Sequence, residues 1–248
     1  MKIQHTTHHR WHRPVIENPL LLYNKNNQKR LQSTLNKIEE TNVSYQIRIV
    51  DNEFLEWFQP FYTAQMESKA NAKVHDLYEA TKAKDYIEAY YQLTLFEGDH
   101  RLGAILFSLR KDKMLGISFR ALEHTWQENT LQANPALYTD YLLAQFAYEK
   151  AMEVFSHGLD RNPYGINAAI GLATFKLVVG CTPKIPKEPE FTETDISQLT
   201  EDALIILPPE EDIVITKAVL ICTTESEPKY AQLRAYPDRL NIDVQHRD

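Results

Sequence analysis

Three apolar segments joined by two very short polar turns constrain the fold of this chain more than any other feature. The segments are residues 90–96, 102–109 and 114–122, and the turns between them contain Gly98 and Asp112. Turns this short leave no room for a crossover helix, because a parallel connection needs about a dozen residues or more. The sequence therefore predicts a three-stranded antiparallel meander.

The segments that precede the meander predict one strand and two helices. Residues 43–50 alternate apolar and polar side chains, which is typical of a half-buried strand. Asp51 or the residue after it is a good helix cap, and apolar residues then recur at helical spacing, with Pro60 predicted to kink or split the helix. A second, more polar helix is predicted over residues 70–87.

The segments that follow the meander predict two more helices and a closing hairpin. The strongest helical pattern begins at Pro135 and is predicted to run to Gly158, where a glycine can end a helix. A small-faced helix is predicted over residues 167–179. Residues 203–207 and 213–222 read as the two strands of a hairpin.

The order of these elements predicts an α+β fold with a mostly antiparallel central sheet and helices on both of its faces. We divide the chain into a basic N-terminal extension (residues 1–44), a main domain (45–225) and a polar C-terminal tail (226–248). The extension is predicted to be irregular apart from one helix over residues 26–40.

Composition excludes several classes of protein. Apolar residues make up 43% of the chain and aromatic residues 10%, more than disordered chains carry. No apolar run approaches the roughly 20 residues of a membrane span, and the first residues lack the apolar core of a signal peptide. Cys181 and Cys222 cannot form a disulfide framework. We therefore expect a cytoplasmic protein without a membrane span.

Charge is distributed unevenly along the chain. Residues 1–48 carry eight Lys or Arg against three acids, whereas residues 187–248 carry six against fourteen. A basic segment can contact phosphates, but we expect this one to be a solvated part of the surface. The net charge of −7 argues against a dedicated DNA-binding protein.

Four histidines near the N-terminus have a spacing that would align them on one face of a helix. They are His5, His8, His9 and His12. Neither carboxylates nor cysteines lie close to them in the sequence, and terminal segments of this kind fray. We therefore expect adventitious metal affinity at most, and no metal cofactor.

Residues 134–183 resemble the C-terminal part of Fem-type proteins, a peptidoglycan-biosynthesis-like group of the GNAT acyltransferase superfamily. The shared features are a long aromatic-rich helix, a glycine-containing loop at 160–165, and the pair Phe175-Lys176 followed by Gly180. The similarity covers roughly residues 45–185. It implies a GNAT fold in which an acceptor amine attacks an ester or thioester carbonyl.

One segment departs from the superfamily pattern. The glycine-containing pyrophosphate loop that precedes the long helix in GNAT enzymes is absent, and residues 123–129 stand in its place without a glycine. Glycine lets backbone N–H groups approach a phosphate closely, so ordinary acyl-CoA binding is in question. Fem-type proteins also lack this loop and use aminoacyl-tRNA. The resemblance therefore leaves both acyl-CoA and aminoacyl-tRNA as donors, with a small-molecule or peptide amine as acceptor.

The same resemblance implies roles for individual residues. Lys176 matches a Fem-type lysine beside the transferred acyl group and is expected to stabilise the oxyanion. Glu123 or His124, at the end of the third meander strand, is expected to act as the base, and Tyr164 as a phenolic acid. The residues expected to bind the donor are Arg161, Asn167 and Phe175.

Each of these residues also has a simpler interpretation. Lys176 fits a lysine that extends from a surface helix, and Glu123 with His124 fits a polar turn. Asp160 and Arg161 fit a local ion pair that fixes their loop. The sequence thus favours an N-acyl or aminoacyl transferase. It leaves open a non-catalytic binding module with the same fold, and a homo-oligomeric state.

Overall fold

The computed structural model describes residues 1–68, 73–123, 135–209 and 213–247. The chain forms two compact units. Unit 1 combines Met1–Arg13 with His157–Asp248, and unit 2 is the continuous segment Pro14–Ser156. The three segments divided by sequence follow charge and sequence pattern, whereas the two units follow packing. Residues 1–44 are therefore divided between the two units.

The regular elements of the described residues are numbered in chain order. The strands are β1 (Lys2–Thr6), β2 (His8–Pro14), β3 (Val43–Ile49), β4 (Ile87–Glu97), β5 (His100–Arg110), β6 (Met114–Leu122), β7 (Val154–Arg161), β8 (Thr182–Lys184), β9 (Phe191–Asp195), β10 (Ala203–Ile206), β11 (Lys217–Cys222) and β12 (Asn241–His246). The α-helices are α1 (Lys25–Lys37), α2 (Asn52–Glu67), α3 (Leu77–Ala80), α4 (Pro135–Glu149) and α5 (Ile170–Val178). Short 3-10 segments are Pro19–Leu22, Ile38–Glu40, Ile196–Gln198, Glu227–Tyr230 and Leu233–Ala235.

Unit 2 contains the predicted meander. β3 pairs antiparallel with β4, β4 with β5, and β5 with β6, which confirms both the meander and the strand that precedes it. The beginning of β7 then pairs parallel to β6 over three residue pairs, from Met114 with Val154 to Gly116 with Ser156. The single parallel pairing in this series requires a long connection, and α4 lies within that connection.

Helix α2 supplies the aromatic core of unit 2. Asp51 caps the helix, because its side chain accepts a hydrogen bond from the backbone N–H of Phe54 at 2.8 Å. The apolar stripe, which includes Phe58 and Tyr62, then packs against β5 and β6. The helix runs through Pro60 without interruption, so the predicted split does not occur.

The second polar helix predicted over residues 70–87 is wrong in extent. Among the described residues of that segment only the four-residue α3 is helical, and β4 begins at Ile87. Asp76 caps α3 through the backbone N–H groups of Tyr78 and Glu79. Since Leu77 alone of these helical residues is buried, little apolar surface favours a longer helix here.

The long helix predicted from Pro135 to Gly158 ends much earlier, at Glu149. Its last turn closes with the hydrogen bonds of a Schellman motif, from Ala151 N–H to Tyr148 O at 2.9 Å and from Met152 N–H to Ala147 O at 2.9 Å. Ala151 occupies the left-handed position of this motif with φ of 52°, where glycine is usual. The residues that follow form β7, so Gly158 lies in a strand.

Unit 1 is built from strands that are far apart in the sequence. β1 pairs antiparallel with β9, and β2 lies between β7 and β8. β10 pairs antiparallel with β11, which confirms the predicted closing hairpin, and β12 pairs parallel with β11 on its other side. α5 shortens the helix predicted over residues 167–179 by three residues at its beginning and one at its end.

The N-terminal extension, predicted to be irregular apart from one helix, contains two strands, and the C-terminal tail, for which no element was predicted, contains regular structure too. The N-terminal extension begins with β1 and β2, in which Trp11 is fully buried, and its predicted helix is α1. The C-terminal tail contains β12 and the buried Leu233. The strands of the extension were not predicted, because their partners lie too far away in sequence to be recognised from local patterns.

The fold class predicted from the sequence is confirmed. The described residues form a mixed architecture in which antiparallel strand pairs predominate and helices connect the strands. In the described part of the chain, none of the helices combines the length and apolar character that a membrane span requires.

Candidate active site

A buried cluster of polar side chains lies within unit 1, and we call it the Lys176 cluster. Its five members are His9 and Trp11 from β2, Asp160 from β7, Tyr164 from the following loop, and Lys176 from α5. Each of the four segments contributes to the cluster because β2 lies next to β7, whose end leads through the loop into α5.

Lys176 is the charged centre of this cluster. Only 3% of its surface is exposed, so it is not a lysine that extends into solvent. Its Nζ donates hydrogen bonds to Oδ2 of Asp160 at 2.7 Å and to the backbone oxygen of His157 at 2.9 Å. A buried ammonium requires such partners, because an unpaired charge in the interior is very costly.

Tyr164 links the charged pair to β2. Its hydroxyl donates to Oδ2 of Asp160 at 2.6 Å, and it accepts a hydrogen bond from Nε1 of Trp11 at 2.7 Å. Burial raises the pKa of Tyr164 well above its ordinary value, and the neighbouring Asp160 carboxylate raises it further. The phenol is therefore neutral and its single proton is directed to Asp160.

The protonation of His9 follows from this arrangement. Nε2 of His9 lies 2.8 Å from the Tyr164 hydroxyl, whose proton is already donated to Asp160. Nε2 must then carry the imidazole proton and donate it to the hydroxyl. Nδ1 of His9 is left as a buried acceptor with no hydrogen-bond partner among the described residues. Burial lowers the pKa of His9 to about 3, so the ring is neutral.

The loop that carries Tyr164 is fixed by backbone and amide contacts. The Asn162 side chain donates to the backbone oxygens of Thr6 and Ile206 and accepts from the Ile206 N–H, as a backbone group would. The backbone of Tyr164 exchanges two hydrogen bonds with Leu204. At Gly165 a Cβ atom would lie 2.1 Å from the backbone oxygen of Asp202, so only glycine allows this approach.

The residues predicted to bind the donor lie on the loop or on α5. Asn167 donates from Nδ2 to the backbone oxygen of Asn162 at 3.0 Å, so it helps to fix the loop. The Arg161 side chain is exposed. Phe175 precedes Lys176 on α5, is half-buried, and its ring lies 6.3 Å from that of His157.

The two residues predicted to act as the base follow β6, which belongs to unit 2. Glu123 is half-buried, and its Oε2 lies 3.3 Å from Nε2 of His100. His124 lies outside the described residues. Of the predicted catalytic residues, Lys176 and Tyr164 belong to the Lys176 cluster. The His100 ring that lies near Glu123 belongs to unit 2.

Sequence reasoning missed three members of the cluster. His9 and Trp11 were placed in an irregular extension, and Asp160 was considered only as a partner of Arg161. His9, Trp11 and Arg13 are buried in turn along β2, but Trp11 is the single apolar side chain of residues 9–13, so no alternation of apolar and polar residues marks this strand in the sequence. Nothing in the local pattern links this strand to Tyr164, which lies 155 residues from His9.

The structure also places the N-terminal histidines and the two cysteines. The four N-terminal histidines lie on strands, so the helical alignment considered for them is wrong. The described residues contain no group of three or more side chains suited to hold a metal ion. Cys181 and Cys222 are buried, and neither belongs to a disulfide.

Comparison with known proteins identifies the fold. No family model matches the chain, and no curated protein matches it. The crystal structure of FemX matches with a TM-score of 0.52 at 12% identity, over 71% of this chain. L-PGS from Bacillus licheniformis matches with a TM-score of 0.44 at 10% identity, over 68% of this chain and 50% of its own.

The present chain spans 59% of the length of FemX. The chain has a FemX-like fold, in agreement with the GNAT-like fold that the sequence resemblance implied. At this level of identity the likeness concerns the fold, and the chemistry has to be argued from the residues of the Lys176 cluster.

Proposed function

We propose that this protein transfers an acyl or aminoacyl group from a thioester or ester donor to an amine acceptor. The observation that carries the proposal is the Lys176 ammonium, which is 3% exposed and held by two oxygen atoms within a GNAT-like fold. Lysine side chains are rarely buried to this extent, and buried ionisable groups are frequent in active sites.

In the proposed reaction the acceptor amine attacks the donor carbonyl directly, without a covalent enzyme intermediate. The carbonyl oxygen gains negative charge as the tetrahedral intermediate forms, and Lys176 stabilises that charge. Loss of one donor to an oxyanion costs about 3 kcal/mol in other enzymes, which is roughly a hundredfold in rate. Asp160 keeps the ammonium charged and oriented.

In this mechanism we give Tyr164 a positioning role in place of the phenolic acid that the resemblance implied. Its hydroxyl is buried, and its proton is donated to Asp160. The raised pKa of Tyr164 keeps it neutral, which suits it to orient the Asp160 carboxylate. We keep Glu123 and His124 as candidates for the base that removes the amine proton, since a carboxylate or imidazole can take that proton.

The donor in this proposal is acyl-CoA or aminoacyl-tRNA, both of which carry phosphates. The exposed Arg161 guanidinium can contact a phosphate, and Asn167 and Phe175 complete the proposed donor site. The acceptor is a small-molecule or peptide amine. A cytoplasmic setting belongs to the proposal too, because cysteines that form no disulfide, such as Cys181 and Cys222, are usual in reducing compartments.

A second candidate function, a non-catalytic binding module, is favoured by one specific observation. Lys176, Asp160 and Tyr164 satisfy one another inside the fold, as a purely structural network would. Such a network would also explain why so little of Lys176 is exposed. The two functions differ in whether a bound donor reacts.

Donor binding is measured first, by thermal unfolding with acetyl-CoA, longer acyl-CoAs and deacylated tRNA. A donor present at 100 times its dissociation constant stabilises the protein by about 2.7 kcal/mol. We expect at least one of these ligands to raise the unfolding temperature. If none does, the transferase proposal fails.

Transfer is then measured with the donor that binds and a panel of amines. Lys176→Ala is expected to lower the rate about a hundredfold, whereas Lys229→Ala, at an exposed position of unit 1, leaves it unchanged. The double variant Lys176→Met with Asp160→Asn removes the ammonium without leaving a buried charge, and it should be equally slow. Binding without transfer to any amine would favour the binding module.

A further inference from the structure

A recess in unit 1 lies where two paired strands separate. β2 and β8 pair as far as Arg10 with Lys184, and pairing resumes between β1 and β9 at Thr6 with Phe191. Between these pairs, residues 7–9 face the twice longer segment 185–190. The longer segment must arch away from the shorter one, which leaves a space between them.

Both ends of this arch are fixed. The backbone N–H of Thr7 donates to the backbone oxygen of Glu190 at 2.8 Å, and the backbone N–H of Ile185 donates to that of Ile213 at 2.9 Å. Pro186 and Pro189 lie within the arch, and each fixes its own φ angle. The arch is therefore a rigid side of the recess.

The cavity under the arch has a volume of about 320 Å³. This volume lies at the lower end of the range for small-molecule sites, about 300 to 1,000 Å³, and suits a small solute better than a nucleotide. Leu159 of β7 supplies an apolar surface, and His8 and Arg10 of β2 supply one wall. Lys187, Glu188 and Glu190 of the arch also line the space.

The charges around the recess are of both signs. Arg10 and Lys187 are cationic, whereas Glu188 and Glu190 are anionic. In the described part of the chain Arg10, Lys187 and Glu188 take part in no ion pair, although charges of opposite sign line the same space. An anion would meet two carboxylates in this recess and a cation would meet two basic side chains.

We propose that the recess binds a small zwitterion, namely an α-amino acid or a short peptide with an apolar side chain. Its carboxylate pairs with Arg10, since a guanidinium matches the geometry of a carboxylate. Its ammonium pairs with Glu188, since Glu190 already accepts a hydrogen bond from Thr7, and its side chain lies on Leu159. Each charge of this ligand has a side chain of opposite sign in the recess.

The recess is separate from the Lys176 cluster. Successive side chains of a strand point to opposite faces, so His8 and Arg10 point away from the side that carries His9 and Trp11. The binding proposal therefore does not depend on the transferase proposal. A protein that transfers nothing can still bind a zwitterion here.

The ligand class is tested by titration of the full chain, followed by NMR of its backbone amides. The probes are L-leucine, the dipeptide leucyl-glycine, N-acetyl-L-leucine, which lacks the ammonium, and L-leucinamide, which lacks the carboxylate. We expect L-leucine or leucyl-glycine to shift the amide signals of residues 7–10 and of the non-proline residues of 186–190. The probe that binds more tightly shows whether the ligand is a free amino acid or a peptide. Each singly charged probe should bind at least about fivefold more weakly.

The contacts are tested with charge variants. Arg10→Gln and Glu188→Gln are each expected to weaken binding about fivefold, while Lys229→Gln and Glu201→Gln, at exposed positions outside the recess, leave it unchanged. Glu188 lies on the exposed arch, so Glu188→Gln tests the site even if Arg10→Gln unfolds. The proposal is overturned if no probe binds up to about 10 mM, if the singly charged probes bind equally well, or if neither charge variant of a folded protein weakens binding.

Discussion

The environment of His9 differs strongly from that of a free side chain. Its neutral ring donates to Tyr164, and burial lowers its pKa to about 3 from an ordinary value of 6.5. At a pH between about 3 and 6.5, His9 is protonated in the unfolded chain and neutral in the folded chain. The folded state is therefore stabilised above pH 6.5 and loses that stabilisation as the pH falls towards 3.

We predict that His9→Gln reduces this pH dependence. The contribution of His9 to the slope of the free energy of unfolding is at most about 1.4 kcal/mol per pH unit. Glutamine retains an N–H that can donate to the Tyr164 hydroxyl, but it does not titrate. Urea unfolding of both proteins from about pH 7 to about pH 5 measures the two slopes. Equal slopes would show that His9 is not buried in its neutral form.

The pair formed by Lys176 and Asp160 yields a second prediction at this scale. Lys176→Met leaves the Asp160 carboxylate buried without its cation, and we expect a loss of about 3 to 5 kcal/mol in the free energy of unfolding. Adding Asp160→Asn removes the stranded charge and should recover a large part of the loss. Denaturant unfolding of the single and double variants measures both changes.

An exposed pair provides the matched control for this experiment. Lys113 and Glu153 approach to 2.6 Å, but their side chains are 61% and 67% exposed. Lys113→Met should therefore destabilise the protein far less than Lys176→Met does, because water screens the exposed pair. A similar cost for Lys176→Met and Lys113→Met would mean that the Lys176 cluster is accessible to water.

At the scale of elements, success of prediction depended on whether the decisive contacts are local. The meander follows from its two short turns, and α2 follows from the Asp51 cap and the spacing of its aromatic residues. Both signals lie within a few residues of what they determine. The end of α4 was missed because Ala151, where glycine would have been recognisable, adopts the left-handed conformation.

The same position gives a prediction about stability. Ala151 has φ of 52°, a conformation that costs an alanine roughly 1 kcal/mol and a glycine nothing. Ala151→Gly is therefore expected to raise the free energy of unfolding by up to about 1 kcal/mol. Thermal or denaturant unfolding measures this change. Destabilisation would contradict the assigned helix end, and Ala144→Gly, inside α4, serves as the control that must destabilise.

At the scale of the whole molecule, the candidate site was only partly predictable. The resemblance to Fem-type proteins directed attention to Lys176 and Tyr164, because their motif lies in one continuous segment. His9 and Trp11 contact Tyr164 across 155 and 153 residues, and no local pattern encodes contacts at that distance. The described contacts thus extend the predicted site into a strand that the sequence alone placed outside the fold.

We predict that removal of residues 1–13 disrupts unit 1. The deletion removes β1 and β2, except for the last residue of β2, together with the buried Trp11, so β9 loses its partner and Tyr164 loses two hydrogen-bond partners. Hydrogen exchange of α5, β10 and β11 should become much faster than in the intact chain. A synthetic peptide of residues 1–13 added to the truncated chain should restore protection. Unchanged exchange after the deletion would contradict the assignment of these strands to unit 1.

The division of unit 1 between the two ends of the described chain has a consequence for its synthesis. Residues 1–13 leave the ribosome long before β7, α5 and β9 are synthesised. The segments of β1 and β2 therefore have no partners while the chain of unit 2 is synthesised. Trp11 is exposed throughout that delay. Nascent chains arrested before residue 157 should therefore bind ribosome-associated chaperones through their first residues. Chains long enough to expose the later strands of unit 1 should no longer bind them.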